Sequence, residues 1–84
     1  MILEMADIRI QPGQQTAFVA AVAHGIETVI RHAHGFRAYK LNHSIESPER
    51  FMLMIYWDTL EDHTVGFRES PAFTAWRALV GPFF

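Results

Sequence analysis

The spacing of apolar residues along the chain changes character several times, and each change marks an element. Over residues 2–10, Ile, Leu and Met are interrupted by single charged residues, a strand-like pattern that ends at the turn signal Gln11-Pro12-Gly13. Beyond it, Phe18, Val22, Ile26, Val29 and Ala33 recur at intervals of three and four. That spacing stacks them on one side of a long helix and turns Gln14, His24, Thr28 and Arg31 away. Gly35 is expected to end this helix, with His32 and His34 at the negative end of its dipole. Two strand-like runs follow, residues 36–44 and 50–57, joined by a polar, proline-containing loop over 45–49 that suits an antiparallel hairpin. A helix over about residues 60–69 starts in a capping-box-like way, Asp58 with Glu61 or Thr59 with Asp62. Ser70-Pro71 opens a last helix, with Phe73, Ala75, Trp76 and Val80 as its apolar residues.

The third strand-like run, Phe51-Met52-Leu53-Met54-Ile55-Tyr56-Trp57, is apolar at odd and even positions alike. Side chains alternate between the faces of a sheet, so this run predicts burial on both. The helices cover one face, and the chain has no further element for the other. A second copy of the chain is the economical cover, because most soluble oligomers are symmetric homodimers. The expected architecture is α+β, a ferredoxin-like βαββα sheet with helices on one face, in a single domain over residues 1–84. The full ferredoxin-like unit ends with one more strand beside the first. The apolar ending Gly81-Pro82-Phe83-Phe84 reads as a chain from which that strand is missing, the alternative being a natural end at Phe84.

At 84 residues the core is small, which makes support from outside the monomer physically reasonable. With no cysteine, disulfides and thiolate zinc sites are excluded, and oligomerisation is the support left. Half of the residues are hydrophobic, too many for a disordered chain. The net charge is −2 and the seven Lys and Arg are scattered, so no nucleic-acid footprint is visible. The N-terminus has no signal-peptide pattern and no apolar run reaches membrane-spanning length, so a cytoplasmic protein without a membrane partner is expected.

The order of elements, together with Trp57-Asp58-Thr59-Leu60-Glu61-Asp62-His63 leading into Phe67-Arg68-Glu69-Ser70-Pro71-Ala72-Phe73, resembles the antibiotic biosynthesis monooxygenase family. The Pro12-Gly13 turn, Gly35-Phe36 and the tail from Trp76 to Phe84 add to the resemblance, which spans nearly the whole chain. It implies a dimeric α+β barrel formed by two facing sheets, with a pocket in each subunit between sheet and helices. Relatives of this kind include cofactor-free monooxygenases of phenolic polyketides or hydroquinones, haem-degrading enzymes and small-molecule isomerases, so the fold does not fix the reaction. The haem-degrading branch uses an Asn, a Trp and a His. Ungapped matching puts Ala6, Phe67 and Arg77 at those positions, which disfavours that branch.

Among residues able to carry chemistry, His63 shares a helical face with Leu60, Thr64 and Phe67 and is expected to point inward. A neutral imidazole beside an apolar cavity can take a proton from a phenol or hydroquinone, leaving an electron-rich carbanion that reacts with dioxygen. The plainer reading is a buried histidine with one hydrogen-bond partner. Arg68 could hold an anionic oxygen through its planar donors, against an ordinary ion pair with Glu69, Asp62 or a carboxylate of a partner chain. Tyr56, Trp57, Phe67 and Trp76 are candidate pocket walls for a small aromatic ligand, against plain packing. The spacing of His24, His32, His34 and His43 completes no metal site, and glycine-rich phosphate or dinucleotide motifs are absent, so neither metal nor cofactor is expected. The reading is a cofactor-independent monooxygenase-like enzyme for a small aromatic or quinol compound. The alternatives are a non-catalytic dimeric ligand-binding or interaction domain, or an isomerase of a small metabolite.

Overall fold

A computed structural model describes all residues from Met1 to Phe84. Three strands, β1 (Ile2–Arg9), β2 (Phe36–His43) and β3 (Arg50–Trp57), form an antiparallel sheet in the order β1-β3-β2. α1 (Gln15–Thr28), a π-helix (Asp62–Phe67) and α2 (Pro71–Val80) complete the βαββα ferredoxin-like order. The hairpin between β2 and β3 is tied by Ser44, whose hydroxyl accepts from the Glu46 and Ser47 amides.

The central strand β3 sets the layers. Its odd residues Phe51, Leu53, Ile55 and Trp57 are almost fully buried against α1 and α2, while Met52, Met54 and Tyr56 on the other face stay half-buried. The pairing Leu3↔Tyr56 and Met5↔Met54 puts β1 side chains on that second face, where Met5 is 58% exposed. The strand is thus apolar on both sides, as the sequence predicts, but within this chain only one side is covered. β1 also has a free edge.

The long helix is shorter than its periodicity suggests. The α-helix stops at Thr28, whose hydroxyl donates back to the His24 carbonyl, and a 3-10 turn (Ile30–His32) follows. The tighter turn rotates Ile30 fully into the core, where the helical pattern places Val29 and Ala33. Those two are only half-buried. Thr28, Val29 and Ile30 are β-branched and stiff in a helix, which fits a change of winding at this point. Gly35, at φ 84, shapes the turn into β2 rather than capping the helix. His34 does not serve the helix dipole either, because its Nδ1 lies 2.8 Å from Oδ1 of Asp62.

α1 and α2 cross closely at Gly25. A Cβ there would come within 2.6 Å of the Trp76 ring, so only glycine lets the indole lie against the helix backbone. That contact fixes Trp76, and through it the position of α2 over the sheet. No helix is long and apolar enough to cross a membrane.

Candidate functional site

Between the inner face of β1 and β3 and the layer formed by the π-helix and α2 lies a cavity of about 210 Å³. Its floor comes from the inward residues of the two strands, including Ala6, Leu53 and Ile55, and its upper wall from Phe67, Phe73 and Trp76. Four charged or titratable side chains reach it: Glu4, His63, Arg68 and Arg77. Everything else in the lining is apolar.

Glu4 is inward because β1 alternates. Glu4, Ala6 and Ile8 pair with Ile55, Leu53 and Phe51 on the core face. A carboxylate on that face requires partners, because burying a polar group without hydrogen bonds is costly. Trp57 supplies one, its indole Nε1 donating to Oε1 of Glu4 at 3.1 Å. His63 Nε2 lies 3.2 Å from the same oxygen, with the imidazole 16% exposed. The Trp57 ring packs beside His63 and Phe67, with centroids 5.7 and 5.5 Å apart. The three side chains therefore form one unit, with the fully buried indole holding the carboxylate that faces the histidine.

His63 reaches this position through local winding. Thr59 Oγ1 accepts from the Asp62 amide, as the capping pattern predicts, and the backbone then opens into the π-helix. The Arg68 amide bonds the His63 carbonyl, which sets His63, Phe67 and Arg68 on neighbouring positions. An ordinary α-helical face would have included Leu60, but Leu60 is 52% exposed and takes no part. π-Helical turns are rare and recur at functional sites. Outside the cavity, the Asp62–His34 contact ties this helix to the turn before β2 and holds the Asp62 carboxyl below and the His34 imidazole above their usual ranges, in both cases chiefly through that hydrogen bond.

Of the residues expected at the site, His63, Phe67, Arg68 and Trp76 line the cavity together. Tyr56 does not. Adjacent residues of a strand point to opposite faces, so with Trp57 turned inward Tyr56 lies on the outer face beside Leu3. Trp57 is inward but wholly buried behind Glu4, so it contributes to the site by its hydrogen bond and not as a wall. Within this chain Arg68 pairs with neither Glu69 nor Asp62: Asp62 is taken by His34, and the Arg68 guanidinium lies over the Phe73 ring at 5.3 Å. Glu4 and Arg77 are not singled out by the sequence pattern. The available signal for Glu4 is its parity with Ala6, Ile8 and the buried Ile10, a charge in a core-facing series. Ala6, Phe67 and Arg77, the positions matched to the haem-degrading branch, all line this cavity.

A ferredoxin-like sheet with a small, mostly apolar cavity under its helices defines the class of the molecule. The chain belongs to the antibiotic biosynthesis monooxygenase family, whose sequence pattern it matches over residues 1–79. It is similar to the uncharacterised protein YczJ of Bacillus subtilis strain 168, at 32% identity over 84 residues covering 100% of this chain and 87% of YczJ. A crystal structure from Bordetella bronchiseptica, named as a candidate antibiotic biosynthesis monooxygenase, superposes with a TM-score of 0.91 at 40% identity, covering 98% of this chain and 83% of that one. A Nitrosomonas europaea structure named in the same way has a TM-score of 0.77 at 22% identity over 96% of this chain and 76% of its own. At that identity it shows the common fold alone.

Proposed function

We propose that the cavity binds a small aromatic or quinol compound and supports its oxygenation without an organic cofactor, with His63 as the proton acceptor. The observation that carries this reading is the Glu4–His63 pair, an imidazole beside a carboxylate on the wall of an apolar cavity. When His63 takes a proton from an acidic C–H or O–H of the ligand, the Glu4 carboxylate offsets the charge the ring acquires. The resulting carbanion transfers electrons to dioxygen and forms a C–O bond. The hydroperoxide then loses water as its O–O bond breaks, leaving one oxygen atom in the product as a carbonyl. Two hydrogens leave with the other oxygen, so the substrate supplies every electron the step consumes. Phe67 and Trp76 would pack the ring of the ligand.

The expected result is consumption of one dioxygen per ligand by a member of a panel of single-ring hydroquinones, with no hydrogen peroxide released. His63→Ala should lower the rate by about 10²- to 10⁴-fold, the usual contribution of a positioned base. An unchanged rate in His63→Ala removes the mechanism. Turnover of a ligand without oxygen consumption would favour an isomerase built on the same pair.

The reading extends to a homodimer closed across the outer sheet face. Support comes from Leu3, Met5, Met52, Met54 and Tyr56, which form an apolar surface that no element of the chain covers. A self-complementary pairing of two such faces is the commonest way to bury one.

A further inference from the structure

Of the four arginines outside the cavity, three are paired and Arg9 is not. Arg31, Arg37 and Arg50 each pair with a carboxylate, Glu27, Asp58 and Asp7 respectively. Within the chain Arg68 and Arg77 pair with none, although it carries more acidic than basic residues. Instead each guanidinium rests over an aromatic ring of the cavity lining, Arg68 over Phe73 at 5.3 Å and Arg77 over Phe84 at 5.7 Å. Both residues are exposed while lining the cavity, which puts them at its rim. Stacking on a ring leaves the in-plane N–H donors of a guanidinium free, and those donors match a carboxylate in a bidentate fork.

The only carboxylate in the lining, Glu4, already accepts from Trp57 and faces His63. The lining therefore holds two guanidinium groups against a single carboxylate. A cavity of about 210 Å³ is below the ~300 Å³ at which drug-sized sites begin, so its occupant has one ring or a short chain.

We propose that the ligand of this cavity is a small organic acid, with its ionised carboxylate held at the rim by Arg68 and Arg77 and its apolar body inside against Phe67 and Trp76. The inference rests on the reading of the cavity as a ligand site, and it names the charge the ligand bears. Arg68 and Arg77 are the residues that select an acid over its neutral counterpart.

The test compares 4-hydroxybenzoate with 4-hydroxybenzamide, which has nearly the same shape and no charge, by titration calorimetry on the full chain. The acid should bind at least about tenfold more tightly than the amide, since one charge-assisted fork is worth that much. Arg68→Gln and Arg77→Gln should each weaken the acid about tenfold and leave the amide unchanged, and Arg77→Lys should recover part of the loss. Far-ultraviolet circular dichroism establishes that each variant is folded. Equal binding of acid and amide, an acid affinity indifferent to both arginines, or no binding of the acid at millimolar concentration overturns the proposal. The oxygenation reading fails separately. Arginine-dependent binding of the acid with no oxygen uptake from any hydroquinone leaves this inference standing, and uptake from neutral quinols by a protein that does not prefer acids leaves only the other.

Discussion

Glu4 shows why the chemistry of a small site is hard to see in a linear sequence. Its partners Trp57 and His63 come from the far end of β3 and from the π-helix, and only the antiparallel pairing of β1 with β3 brings the three together. His63 is legible because its helix lies next to the strand it faces. Tyr56 and Trp57 are both expected at the pocket from their composition, although one strand cannot turn two neighbours the same way. If Glu4 supports the histidine in this way, Glu4→Gln should reduce kcat about 10- to 100-fold with little change in KM, within the ~1–4 kcal/mol of two unit charges about 4 Å apart near a protein surface. Steady-state kinetics on the best quinol of the panel would check this. An equal loss in KM with kcat intact would make Glu4 a binding residue instead.

Element boundaries are legible where side chains alternate and less so where the winding changes. β3 runs from Arg50 to Trp57 as its composition predicts, because every inward residue on it is large and apolar. The end of α1 and the π-turn depend on tertiary fit. Gly25 is the clearest case, since a glycine in mid-helix carries no local signal of the Trp76 ring lying against it. Gly25→Ala gains about 1 kcal/mol of helix propensity but must displace a buried indole, an overpacking cost of about 1–3 kcal/mol. The expected outcome is a lower melting temperature together with altered Trp76 fluorescence. A stabilised variant would show that α1 and α2 separate easily.

The His34–Asp62 contact makes a pH-dependent prediction at the same scale. His34 is raised from its usual 6.5, so its contribution to stability is complete below that value and is lost as pH rises through the higher folded-state pKa. Asp62 is lowered from 3.8, so its contribution is present above that value and is lost as pH falls through the depressed one. The contact is therefore worth most between these limits. Thermal melts of the wild type and His34→Gln should differ more at about pH 5.5 than at about pH 8.5, and equal differences would contradict the contact.

For the whole molecule, the proposed function gives the two faces of the sheet separate tasks. The inner face, with the helices over it, builds the cavity, and the outer face is the surface a second copy would cover. The apolar run of β3 makes both faces legible in the sequence alone, and β1 sharpens the division by placing Glu4 inward and Met5 outward. Sedimentation should give a dimer at micromolar concentration, and Met54→Glu, a charge at the centre of the outer face, should shift it to monomer. A folded wild-type monomer would remove the role of a second subunit. The division itself is tested most directly by oxygen uptake measured side by side in His63→Ala and Tyr56→Phe. Loss of uptake in the first, with the second near wild type, is the result predicted by a catalytic inner face. Uptake that survives in His63→Ala and disappears in Tyr56→Phe would place the chemistry on the opposite side of the sheet.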